Sequence, residues 1–324
     1  MPSADFTSST TVVKQVPSAR KNLESLLPAL WNLPQDKYAP EPSDALLDYY
    51  YGQLVFIECY QLKLHKNEEL IDFTGFIKAK VNYTRPELIQ AVETTYVHLG
   101  PAIRAIEVAV KLWLFLSIED WDDKQTLEQY IQSIFRKSSG PSEAPSFLLT
   151  FNIDNLRKVG GFQISWTERL EDHLSLSLED EHKELKIFHL SSFLDLYRHS
   201  NDRPILPSGF LEETARTLSL LIPSSNLKCQ RWIRKAHRKS VIDLEMGQLP
   251  ATSRDVADFT FWGRQLLELR NEYDRTEPTT LRQWILDKRK PNQRYTFWIA
   301  VIALFLGLLF GLIQSVTGII QAMH

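Results

Sequence analysis

The sequence predicts a mainly α-helical body with a small β element, followed by one C-terminal transmembrane helix. Long amphipathic stretches and only 12 glycines in 324 residues favour helices in the body. Two short segments, 162–166 and 185–189, have the length and composition of strands. Residues 295–323 contain no charged side chain, which is typical of a helix that crosses a bilayer.

The first half of the chain carries helix signals with defined starts. Residues 1–17 are rich in Ser and Thr and are predicted to be disordered. A helical pattern begins near Ser18, and Ser43 is placed to cap a helix that runs to about residue 64. Thr84 and Glu87 form a capping box with Pro86 in the first turn, and Gly100 ends that helix. Further helices are predicted at 104–118 and 126–137, the first of them buried because its apolar run is too short to span a membrane.

The second half mixes helices with the two strand candidates. A helix from Asn152 to Val159 is predicted to end at Gly160, before the strand 162–166. Thr167 is then expected to cap a helix that carries His173, ahead of the second strand. Helices are predicted at 193–199, 211–222, 226–239 and 255–275. Short strands among helices leave a winged-helix module as an alternative.

The domain organisation follows from breaks in these patterns. The Ser-, Gly- and Pro-rich segment 138–146 is the best internal linker. We therefore expect a helical subdomain at 18–137 and a second helical subdomain with two short strands at 147–275. A basic juxtamembrane helix at 276–294 is predicted to join them to the transmembrane helix at 295–321.

The C-terminal segment predicts topology as well as anchoring. A helix over 297–320 is about 36 Å long, enough for a bilayer core of about 30 Å. Positive side chains favour the cytosolic side, and they crowd the upstream flank at Lys288, Arg289, Lys290 and Arg294. The N-terminal residues lack an apolar signal sequence, and two cysteines suit a reducing compartment. We expect a tail-anchored protein with a cytosolic body, in the endoplasmic reticulum or connected membranes first and the mitochondrial outer membrane second.

One face of the predicted span is small and polar. It is formed by Ala303, Gly307, Gly311, Gln314, Ser315, Gly318 and Gln321. Small residues let two membrane helices approach closely, and glutamines hydrogen-bond across such contacts. We expect self-association or contact with another membrane helix. The alternatives are that small residues are simply common in membrane helices, or that the two glutamines line a pore.

A basic stretch lies on one side of the helix predicted at 226–239. It comprises Lys228, Arg231, Arg234, Lys235, Arg238 and Lys239. The favoured interpretation is a solvated helix face that docks through its apolar side. The alternative is contact with the anionic cytosolic leaflet, which we prefer over nucleic acid for a tethered body.

Signatures of catalysis are absent from the sequence. It contains no phosphate-binding glycine loop, nucleophile elbow, zinc-protease motif or paired-cysteine motif. His173, His182, His189 and His199 are too evenly spread for a metal-ligand pattern, and the acidic cluster 119–123 lacks the spacing of a calcium loop. We expect no cofactor, no metal and no enzymatic activity. A net charge of −3 also argues against a globally basic nucleic-acid binder.

Several blocks together resemble a large family of uncharacterised proteins from filamentous fungi. They are a W-T-x-x-L-x-x-H-L block at 166–174, an E-T-x-x-T-L-x-L-L-x-P block at 213–223, and a tryptophan-containing segment, 261–290, that leads into one terminal span. The sequence departs from the pattern with Ile285 and Lys288 in place of a Trp and an Arg. The resemblance implies a fungal, single-pass membrane protein and supplies no activity.

These observations favour an interaction or scaffold function for the helical body, with an unknown cytosolic protein partner. An oligomeric membrane-perturbing or channel-like protein is the first alternative. A lipid-directed enzyme with an unrecognised site is the second.

Overall fold

The body of the protein consists of short helices and one small sheet. The computed structural model describes residues 26–33, 43–137, 146–179, 182–238, 242–244, 253–277 and 291–322. Residues 26–30 are helical. In the first half the longer helices are α1 (Asp44–Cys59), α2 (Asn67–Ala79), α3 (Arg85–Thr95), α4 (Ala102–Leu114) and α5 (Leu127–Ile134).

The second half contains the sheet. Its elements are α6 (Ile153–Lys158), β1 (Phe162–Thr167), β2 (Leu176–Glu179), β3 (His182–Phe188), α7 (Ser191–Arg198), α8 (Phe210–Leu221), α9 (Leu227–His237) and α10 (Gly263–Arg275). Single 3₁₀ turns occupy Leu170–Asp172 and Val256–Asp258. A last helix, α11 (Pro291–Ala322), carries the apolar segment. The mainly helical fold with a small β element is therefore confirmed.

Side-chain caps begin the helices where the sequence predicts them. The Ser43 hydroxyl accepts a hydrogen bond from the Leu46 N–H at 3.2 Å at the start of α1. At the start of α3, Glu87 accepts from the backbone N–H of Thr84 at 2.8 Å. Each bond satisfies an N–H group that the first turn of a helix leaves without a partner. Both predicted caps are confirmed.

Helix α4 ends earlier than its apolar pattern predicts. The sequence favours helix to residue 118, but Phe115 adopts a left-handed conformation with φ of 59° and ends α4 at Leu114. That conformation is uncommon for a residue with a large side chain. The Phe115 ring is 1% exposed and packs among other aromatic rings, so tertiary packing overrides the local helical pattern.

The prediction of a helix that begins after Thr167 is wrong. Thr167 is the last residue of β1, and only the 3₁₀ turn at Leu170–Asp172 follows it. The Thr167 hydroxyl accepts from the Arg169 N–H at 3.1 Å, which closes a local turn instead of capping a helix. The turn brings Leu170 and His173 into the core.

The sheet has three strands in the order β1-β3-β2. Strands β1 and β3 are parallel, with Phe162 opposite Lys183 and Thr167 opposite Phe188. Strands β2 and β3 are antiparallel, with Leu176 opposite Leu185. Strand β3 is therefore the central strand, and it is buried increasingly towards Phe188.

Buried residues from both halves form one continuous hydrophobic core. An aromatic cluster joins them, in which Phe115 lies 4.4 Å from the ring centre of Phe193 and 6.2 Å from that of Phe188. The Leu170 N–H also donates to the Phe115 carbonyl at 3.0 Å. The division into subdomains at 138–146 stays a prediction, since residues 138–145 lie outside the described residues. The same holds for residues 1–17 and for the juxtamembrane segment 278–290.

Candidate functional sites

Helix α11 has the length and composition of a membrane span. Its most apolar part, Tyr295–Ile319, is 25 residues long, and an 18-residue window within it has a mean hydropathy of 2.6 and is not buried against the described body. At about 1.5 Å per residue it is about 38 Å long, which exceeds a bilayer core of about 30 Å. Leu304 and Leu312 are 67% and 65% exposed, respectively. In water such a surface is unfavourable, so a membrane anchor accounts for it.

The small face of α11 is continuous and uncovered. Ala303, Gly307, Gly311 and Ser315 lie four residues apart within one unbroken helix. A Cβ atom built on Gly307, Gly311 or Gly318 would meet nothing within 4 Å. The described body of this chain therefore does not fill the face, and Gln314 and Gln321 on it are exposed as well.

The basic residues of α9 share one exposed face. Lys228, Arg231, Arg234, Lys235 and Arg238 are all exposed, while Cys229 and Ile233 are buried on the opposite side. Within the described ranges no acidic side chain forms an ion pair with any of these five cations. Lys239 lies outside the described residues. The arrangement fits both interpretations, a solvated face and a contact for anionic lipid, so the lipid contact stays a prediction.

Contacts beside and opposite the basic face hold α9 to the body. The Trp232 ring lies 5.6 Å from that of Trp166 at the end of β1, and the Arg157 guanidinium of α6 lies 4.5 Å above it. The Cys229 thiol donates to the Asn152 side-chain oxygen at 3.6 Å. Because Trp232 is covered from two sides, the orientation of the basic face is set by packing.

The juxtamembrane basic residues lie mostly outside the described structure. Lys288, Arg289 and Lys290 precede the described part of α11. Arg294 belongs to the helical backbone of α11, and its side chain is not described.

A buried polar network centred on His173 was not predicted from the sequence. The Phe188 N–H donates to His173 Nδ1 at 3.2 Å, so the ring is neutral and carries its proton on Nε2. That Nε2–H donates to the Thr217 hydroxyl at 2.7 Å, and Thr217 in turn donates to the Thr214 carbonyl at 2.6 Å. The Trp262 Nε1–H donates to the Thr214 hydroxyl at 2.8 Å. Burial lowers the pKa of His173 to about 3.

Glu213, one helical turn before Thr217 in α8, holds the segment that contains Trp262. Its carboxylate is 1% exposed and accepts from the backbone N–H groups of Thr260, Phe261 and Trp262 at 2.7–2.8 Å. The Thr260 hydroxyl is a fourth donor, at 3.0 Å. A buried carboxylate with four donors is well satisfied, and it fixes the chain that leads into α10.

The blocks that carry the family resemblance meet in this network. His173 belongs to the first block, Glu213, Thr214 and Thr217 to the second, and Trp262 to the third. Every polar atom just described has a partner, so the network joins three distant parts of the chain and leaves no reactive group. Packing thus brings the three blocks of this chain together. Apart from those blocks, the sequence carries no signal that predicts which of these residues meet.

The acidic cluster forms local contacts. The Asp122 carboxylate accepts from the Lys124 N–H at 2.7 Å, and Asp123 lies 3.8 Å from the Arg85 guanidinium. Within the described ranges no group of three His, Cys, Asp or Glu side chains could hold a metal ion.

A cavity of about 360 Å³ lies between the end of α2, Trp113 of α4, the first turn of α5 and the segment that follows α7. Its charged groups are already paired: the Lys78 ammonium binds the Asp202 carboxylate, and the Arg203 guanidinium lies 2.9 Å from Glu128. Burial lowers the pKa of Lys78, although Asp202 opposes that effect. With each cation neutralised, this cavity offers no net charge to a ligand.

In comparisons with known proteins, no family model, no curated protein and no solved structure matches the chain.

Proposed function

We propose that this protein is a single-pass membrane protein whose helical body works by protein–protein contact at the membrane surface. The observation that carries the membrane part of the proposal is that the most apolar part of α11 is not buried against the described body. The basic residues upstream of α11 support a cytosolic position for the body. The endoplasmic reticulum is the first choice of membrane, and the fungal family resemblance is compatible with this assignment.

The small face of α11 supports the second part of the proposal, association with another membrane helix. Each glycine on that face has open space where a side chain would lie. Helices in lipid associate through close backbone packing, because apolar side chains gain no hydrophobic free energy when they move from lipid tails to another helix. A second copy of α11 presents the same small face and fits it best. No described feature favours a glutamine-lined pore or a lipid-directed enzyme.

Charge placed in the middle of α11 is expected to prevent insertion. Arginine at Leu308 and Leu312 costs about 2.5–3.5 kcal/mol per residue at the centre of a span, against a gain of about 0.5 kcal/mol for each leucine. The native chain should remain in the membrane pellet after alkaline carbonate extraction, and the double arginine variant should appear in the supernatant. The variant Leu308→Ala with Leu312→Ala is the control and should stay in the pellet. Release of the native chain by carbonate would contradict the proposal.

Filling the small face is expected to weaken helix association. Isoleucine in place of Gly307 or Gly311 would hold two backbones apart, which removes the contacts that close packing provides. A transmembrane reporter assay of residues 291–322 should give a reduced signal for both changes. Leu309→Ile, on the lipid-facing side, is the matched control and should keep the native signal. Equal signals from all three variants would mean that the face is not a contact between copies.

A further inference from the structure

A second cavity, of about 250 Å³, lies between the end of α5 and the start of α10. Its floor is aromatic: Phe135, Phe210, Phe261 and Trp262 line it, and each is at most 6% exposed. The rings hold one another in place, with Phe135 and Phe210 centred 4.1 Å apart. The floor is therefore a rigid apolar surface built from three separate parts of the chain.

Three cations surround this floor. Arg136 and Lys137 follow the end of α5, and Arg264 lies in the first turn of α10. Arg136 and Arg264 are exposed, and the Lys137 ammonium lies 5.5 Å above the Phe261 ring. Over the part of the chain that the structure describes, none of the three forms an ion pair. This contrasts with the larger cavity, where Lys78 and Arg203 are both neutralised.

The Glu213 carboxylate does not contact these cations. Glu213 is buried behind Phe261 and Trp262, and it accepts four hydrogen bonds from the segment 260–262. Its bonds go to residues that precede α10 and not to the cations. The Glu213 carboxylate lies at the start of α10 and offsets the partial positive charge of that helix end, so the positive charge of the cavity comes from the three cations.

One polar group at the cavity has no partner. The side-chain amide of Gln265, also in the first turn of α10, has a buried Oε1 atom without a hydrogen-bond partner. The other end of this amide is an N–H₂ group, and because Gln265 lines the cavity that group can donate to a ligand oxygen there.

We propose that this cavity binds a phosphate ester with a small organic body. A phosphomonoester carries about −1.5 to −2 charges at pH 7, which matches a site with three cations. The two arginines can each give it paired N–H donors. The aromatic floor takes the carbon part of the ligand. A volume of about 250 Å³ is below the usual range for drug-sized ligands, so a headgroup or a small polyol phosphate fits better than a nucleotide.

The phosphate ester can be soluble or can belong to a membrane lipid, and glycerol 3-phosphate and phosphatidic acid share the same chemistry. Calorimetric titration of the full chain in dodecylmaltoside micelles with glycerol 3-phosphate measures the soluble form, with glycerol as the uncharged control. Native mass spectrometry of the same sample with phosphatidic acid or phosphatidylcholine measures the lipid form.

The variant Arg136→Gln with Arg264→Gln should weaken phosphate binding about tenfold or more, since it removes two charge-assisted contacts. Lys63→Gln with Lys124→Gln makes the same change in net charge at exposed positions away from the cavity and should bind as the native chain does. Arg264→Gln alone is a milder change and keeps the test usable if the double variant folds poorly.

Binding of glycerol 3-phosphate that the cavity variant loses would identify a soluble ligand. Phosphatidic acid adducts lost by the same variant, without binding of the soluble ester, would identify a lipid headgroup. Equal binding by the native and cavity-variant chains, or no binding of either phosphate, would overturn the inference. The cavity belongs to the helical body, so these results do not depend on the insertion or association of α11.

Discussion

Alanine in place of Phe115 is expected to lower the free energy of unfolding by about 3–5 kcal/mol, the largest effect of any single substitution considered. The Phe115 ring is 1% exposed and lies 4.4 Å from the ring centres of both Tyr49 and Phe193. Truncation leaves a cavity that these rings can close only in part. Because small domains are stable by about 5–15 kcal/mol, much of the total would be lost.

Urea unfolding of the full chain in dodecylmaltoside micelles, followed by tryptophan fluorescence and circular dichroism, measures this effect. Val97 is 70% exposed, and Val97→Ala should change the free energy by no more than about 0.5 kcal/mol. A loss below about 1 kcal/mol for Phe115→Ala would contradict the central role of the cluster. The same curves address the predicted boundary at 138–146, because independent subdomains would unfold in two transitions.

Acid is expected to destabilise the protein through His173. Its folded-state pKa of about 3 lies below the ordinary value of 6.5, because burial disfavours the charged ring. As pH falls below 6.5 the unfolded chain binds a proton that the folded chain does not. The contribution of His173 to the free energy of unfolding is therefore fully present above pH 6.5. It is lost as pH falls towards 3, by about 1.4 kcal/mol per pH unit. Between pH 6.5 and pH 4 the loss from this residue is about 3 kcal/mol.

Comparison of the native chain with His173→Gln isolates that contribution. The variant should be less stable at pH 7, since the Phe188 N–H loses its acceptor, and the difference should shrink as pH falls. His189 contributes to both curves, because burial and His237 lower its pKa to about 4. His182 is exposed, and His182→Gln should follow the native curve. Parallel curves for the native chain and His173→Gln would rule out a neutral buried ring.

The features that were predictable from the sequence are those that local pattern determines. Ser43 and Thr84 cap helices because a cap needs only a neighbouring N–H, and α11 is apparent from composition alone. The basic face of α9 was also predicted, since helical spacing places its cations together. Strand β2 was missed because a four-residue strand depends on its partner β3 for stability.

The contacts that were missed join residues far apart in the chain. Helix α2 was left unassigned, although Glu69 accepts from the Lys66 N–H at its start at 3.2 Å. The network of His173 and the cavity between α5 and α10 each bring together side chains from three separate segments. Such meetings are set by the packing of the whole core, and the periodicity of one segment carries no information about them.

The end of α10 determines how a mechanical load on the anchor would reach the body. Lys183 of β3 lies 2.6 Å from the Glu272 carboxylate and donates to the Thr276 hydroxyl at 2.6 Å. Tyr273 is buried against Phe151 in the same turn. A pull from the membrane therefore acts on the central strand of the sheet as well as on α10. The contacts of Lys183 have to break before the last turn of α10 can separate from β3, so they are the first interactions of the described body that such a load would test.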